Sequence, residues 1–139
     1  VMVCGNVAAV QSAVDAGRAA GADAVVDDFV LPNIHPGVIS AVNAVSPITG
    51  IKALGIIETF SIASLIVAAD TAAKAGEVDL IEVRAGVGIG GKSFVTLTGD
   101  VSSVKSSVEA GAASAAAKGM LVETSVIASP HENLKLCIV

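Results

Sequence analysis

Residues 86–101 read GVGIGGKSFVTLTGDV, and their first eight letters match the phosphate-binding loop pattern G-x-x-x-x-G-K-[ST]. Such a loop wraps phosphates in glycine N–H groups and needs a helix to begin at its Lys-Ser, so that the positive helix end faces the anion. After Lys92 and Ser93 the chain continues Phe94-Val95-Thr96-Leu97-Thr98, then Gly99-Asp100. That run is aromatic and β-branched and stops at a Gly-Asp turn, so it predicts a strand. Residues 78–83, VDLIEV, predict another strand upstream. The glycine loop therefore joins strand to strand, and the helix that would receive a phosphate is missing, which speaks against nucleotide binding.

Working outward, the chain repeats itself. Residues 3–17, VCGNVAAVQSAVDAG, lie over residues 97–111, LTGDVSSVKSSVEAG, with about half the positions identical. After a short slip, VDDFVLPNIH at 26–35 lies over VETSVIASPH at 122–131. In each copy an N-cap residue, Asn6 or Asp100, opens a helix. Val7, Val10 and Val14, like Val101, Val104 and Val108, then recur at helical spacing and form an apolar stripe. Each copy closes on a strand, near residues 26–31 and 121–127, that runs into a turn containing Pro and His.

Between the copies, residues 37–50 are small and include Pro47, which reads as a linker. Residues 52–58 predict a strand. Ser61 caps a helix whose Ile62, Leu65, Ile66, Ala69 and Ala73 share a face, and Gly76 ends it. From Lys52 the order is strand, helix, strand, strand, helix, strand. This is an α+β fold: a four-stranded antiparallel sheet with helices packed on it, β-α-β-β-α-β. Three segments result: 1–42 as the second half of a first repeat, 43–51 as a linker, and 52–139 as a complete second repeat.

Composition narrows the function. Hydrophobic residues make up 53% of the 139, mostly Ala and Val, and charged residues 15%, so a core of small side chains and broad subunit contacts are expected. The formal charge of −5 and the lack of a basic cluster argue against a nucleic-acid partner. Charges and glycines interrupt every apolar run before the ~20 residues that a membrane span needs. Cys4 and Cys137 have no metal-ligand spacing and read as free thiols of a reducing compartment.

The segments KALGIIET, AADTAAKAGEVDLIEV, GVGIGGKSFVTLTGDVSSVKSSVEAG and LVETSVIASPHENL resemble, in this order, the bacterial microcompartment shell domain. The resemblance covers residues 52–134, and residues 1–42 resemble the second half of the same domain. It is similar above all to tandem-domain members, including those of propanediol-utilisation microcompartments. The resemblance implies a non-enzymic structural protein of a shell in the bacterial cytoplasm. It implies homotrimers forming pseudo-hexameric tiles, packed beside other shell proteins, with a central pore for metabolites or electrons. By position it makes Gly86, Val87, Gly88, Ile89, Gly90, Gly91 and Lys92 the pore rim, and Lys74 a contact at the tile edge. The family often has Arg before the last Pro-His, where this chain has Ser129, and Asn33 in the first copy. Some tandem members hold an iron–sulfur cluster at the pore through a cysteine of the first domain's loop; that loop is not in this chain, and no residue present is assigned a cofactor.

His35 and His131 read as turn residues, since neither has a carboxylate or thiol partner at motif spacing. Glu58 lacks the second group that acid–base catalysis requires. Asp27 and Asp28, adjacent on a predicted strand, point to opposite faces and do not suggest a shared metal. The alternative function is a small-molecule sensor or enzyme of split β-α-β fold, with residues 86–93 as an anion-binding nest.

Overall fold

The computed structural model describes residues 1–86 and 90–134. Two compact units divide between Asn33 and Ile34. The first holds one helix, α1 (Val7–Gly21), followed by a single turn of tighter helix at Ala22–Ala24. The Asn6 side chain caps α1 by accepting the Ala9 N–H at 2.9 Å, as expected of that residue. The apolar stripe is present but unburied: Val7 is 53% exposed, and α1 has no buried residue. The strand expected near residues 26–31 is not formed. A strand needs a hydrogen-bonded neighbour, and the first unit contains no counterpart of the strand that partners residues 121–127 in the second.

In the second unit, β1 (Ala53–Thr59), α3 (Ile62–Ala75), β2 (Val78–Ala85), β3 (Ser93–Gly99), α4 (Val101–Ala116) and β4 (Leu121–Ile127) come in the expected sequence, preceded by α2 (Pro36–Val42). The sheet order is β2-β3-β1-β4, and every neighbouring pair is antiparallel. Ser61 caps α3 by accepting the Ser64 N–H at 3.0 Å. Gly76 ends it in an extended conformation.

Two glycines set how closely the layers approach. A Cβ at Gly55 of β1 would lie 2.7 Å from Val108 and 2.9 Å from Val104 of α4. A Cβ at Gly111 of α4 would lie 2.7 Å from the Ala68 carbonyl oxygen of α3 and 3.2 Å from the Ala72 side chain. The helices therefore pack nearly backbone to backbone over Ile57, which is fully buried with Leu65, Val95, Leu97 and Val104. Each large side chain buried in this way contributes roughly 1.5–3 kcal/mol. A core without Trp or Tyr is thus made by bringing the layers close, not by filling space with rings.

Two further readings are corrected. Residues 37–50 do not form an uninterrupted linker, because Pro36–Val42 is a helix whose Val38 and Ala41 are fully buried against β2 and α3. Its seven residues are too few to show a periodic pattern, and the Pro and Gly at its start read as turn signals. Asp100 occupies the N-cap position of α4 but its side chain makes no cap bond. It accepts instead from the Lys52 ammonium at 2.9 Å, and this bond and charge hold the Lys52 pKa above its ordinary value. Val101, the first member of the α4 stripe, is 38% exposed, while Val104 and Val108 are buried.

Candidate functional site: the loop between β2 and β3

The β2–β3 ladder runs to the pair Ala85 and Ser93, and the Gly86 N–H donates to the Lys92 carbonyl at 3.0 Å, closing the base of the loop. Gly90 and Gly91 have φ of +71° and +82°. Side chains other than Asn and Asp are rarely found there, so glycine is the residue this turn calls for. A Cβ at Gly90 would meet no atom within 4 Å. Val87, Gly88 and Ile89 of the expected rim lie outside the described residues.

The charges around the loop base are held within the molecule. The Lys92 ammonium sits 3.9 Å from Glu58 Oε1 and 5.9 Å from the centre of the Phe60 ring. Arg84 pairs with Glu82 at 2.6 Å and lies over Phe94 at 5.7 Å. Exposed cation–ring contacts of this kind contribute only about 0.5–1 kcal/mol each, but they fix where each cation points. Glu58, unassigned by the sequence except as an unsuitable catalytic acid, thus acts as the counter-ion of Lys92. Phe60 has no sequence signal that would have linked it to the loop.

This arrangement is unlike a nucleotide site. Ser93 is the first residue of β3 and is buried, and Lys92 is turned toward Glu58. No helix begins after the loop, so the aligned N–H groups that receive a phosphate are lacking. Calorimetric titration with ATP or GTP is expected to show no saturable binding. Micromolar binding that disappears in Lys92→Ala would overturn this expectation.

Lys74 stands apart from the loop, in the last turn of α3, half exposed and bonded at 2.6 Å to Asp70 Oδ2. Asp70 was not singled out by sequence reading, although its i,i+4 spacing to Lys74 is an ion-pair signal. His35 and His131 share one local role: each Nδ1 accepts a backbone N–H two residues on, from Gly37 at 3.1 Å and from Asn133 at 3.2 Å. Asp28 pairs with Arg18 at 3.6 Å. Among the described residues no three His, Cys, Asp or Glu side chains gather to hold a metal, and no helix is long and apolar enough to cross a membrane. The loop sequence Gly-Val-Gly-Ile-Gly-Gly-Lys offers no thiolate, so residues 86–92 do not fit an iron–sulfur cluster.

A split β-α-β sheet with a glycine-rich β2–β3 loop, preceded by a segment that repeats part of its sequence, defines a class. Residues 1–34 and 53–130 match the BMC domain, and the chain belongs to that family of bacterial microcompartment shell proteins. It is 44% identical over 134 residues to the microcompartment shell protein PduT of Citrobacter freundii, covering 96% of this chain and 73% of that protein. It is 42% identical over 84 residues to the shell protein EutM of Salmonella typhimurium, covering 60% of this chain and 85% of that one. A solved microcompartment protein from Desulfitobacterium hafniense superimposes with a TM-score of 0.88 at 68% identity, covering 96% of this chain and 74% of that structure.

Proposed function

We propose that the chain is a building block of a microcompartment facet, three copies of which form a pseudo-hexameric tile around a pore lined by residues 86–92. One observation carries this reading. Nearly the whole chain aligns with a shell protein, and its residues 1–34 and 53–130 both match the BMC domain. The geometry agrees with a passive role. Each cation described at the loop base already has a carboxylate partner, and the exposed backbone of Gly90 and Gly91 offers weak hydrogen bonds of the kind permeation requires. No catalytic residue is assigned. The partners are further copies, other shell proteins and the small metabolites that pass, and the place is the microcompartment shell. The likeness to PduT suggests a propanediol-type compartment.

In this reading Lys74 acts between tiles. Its ammonium lies at the carboxyl end of α3, where a cation is favoured and can reach a neighbour's carbonyl or carboxylate oxygen. Lys74→Ala is expected to keep the sedimentation coefficient of the single tile and to form far fewer flat sheets by electron microscopy. Dissociation of the tile into monomers would place Lys74 at the subunit interface instead. Sheets equal to wild type would remove it from any contact.

A further inference from the structure

The Asp70 carboxylate is buried, its side chain 5% exposed, and its two oxygens serve two separate parts of the second unit. Oδ1 accepts the backbone N–H of His35 at 2.7 Å, and Oδ2 accepts from the Lys74 ammonium at 2.6 Å. His35 is the N-cap of α2, the short helix that lies on β2 and α3 through Val38 and Ala41. One carboxylate thus ties α2 to a half-exposed lysine one turn farther along α3. A flexible four-carbon side chain in the last turn of a helix samples many rotamers, and fixing it beforehand lowers the entropy lost when it makes a contact.

We propose that Asp70 is the positioning residue of the tile edge. It holds the Lys74 ammonium in the orientation in which it meets an oxygen of a second tile, and through His35 it makes that orientation depend on a docked α2. This rests on the reading of Lys74 as the edge contact. A buried carboxylate needs a cationic partner, and here its second oxygen is given to the half-exposed side chain read as the edge contact.

The test compares Asp70→Asn, Lys74→Ala and the double variant in sheet formation followed by light scattering and electron microscopy. Asparagine keeps an oxygen for the His35 N–H and removes the charge that holds Lys74. Asp70→Asn is expected to raise the protein concentration needed for sheets about tenfold, the size of one lost charge-assisted bond. The double variant should be no worse than Lys74→Ala alone, whereas an effect of Asp70 that bypasses Lys74, through the His35 N–H and α2, would add to it. If Lys74→Ala is impaired while Asp70→Asn assembles normally, the positioning role is overturned and the edge reading stands. If Lys74→Ala itself assembles normally, both are overturned. A second measurement needs no folded variant: in single wild-type tiles, Lys74 should be acylated several-fold more slowly than the exposed Lys118 by mass spectrometry. Equal rates would overturn the proposal.

Discussion

Gly111→Leu is expected to destabilise the second repeat by about 3 kcal/mol, the upper end of the range for overpacking a core. A Cβ at this position already stands 2.7 Å from the Ala68 carbonyl oxygen and 2.7 Å from Ile57 Cδ1, and leucine adds three further carbons. The isoleucine terminus can rotate away, but the carbonyl belongs to the backbone of α3 and moves only if the helix moves. Separating α3 from α4 would in turn open the layer over Ile57 and Leu65, both fully buried. Helix propensity works in the opposite direction, since leaving glycine for leucine in a helix gains nearly 1 kcal/mol. The clash is the larger effect. Urea unfolding should show a clearly lower midpoint at unchanged slope. An unchanged midpoint would mean that the two helices do not approach as closely as described.

The second large effect concerns Gly90, where space is open and only the backbone objects. Under the pore reading, one substitution here is presented three times around the axis, so bulk accumulates quickly. Gly90→Trp is expected to reduce solute flux through reconstituted shells to a small fraction of wild type. A side chain at φ +71° carries roughly 1–2 kcal/mol of strain, borne in a loop outside the core, so tiles and sheets should still form. Gly90→Ala carries the same strain with little bulk and should leave flux near wild type. If Trp and Ala variants conduct alike, Gly90 does not face the opening and the pore assignment falls.

Much of the fold was legible because its signals are local. A β-branched run after Lys92 excluded a helix, Ser61 and Asn6 cap as their chemistry suggests, and the order of six elements came from apolar periodicity. What failed required tertiary knowledge. Asp100 looks like Asn6 in its own copy, yet a distant ammonium, Lys52, occupies its carboxylate. The segment at 26–31 has the composition of a strand but no neighbour in its unit to pair with. Pro36–Val42 was hidden by turn-forming residues at its start. The candidate site was legible only as a loop between two strands, its glycines marking a turn. The pore role proposed for it and the edge role proposed for Lys74 come from the family resemblance, and the partners Glu58, Phe60 and Asp70 emerge only when the chain folds.

The strand order has a consequence for how such a domain can be joined to others. β1 and β4 are the first and last strands of the repeat, and they are neighbours in the sheet, with Leu54 opposite Ile127. The repeat therefore begins and ends at one place. A chain whose ends adjoin can be appended to another copy, or continued into a further segment, without threading through its own sheet, and the loop-closure cost of the junction grows only slowly with its length. Head-to-tail duplication is then a small topological step for this fold: each copy closes on itself, and the connection need only travel along one edge.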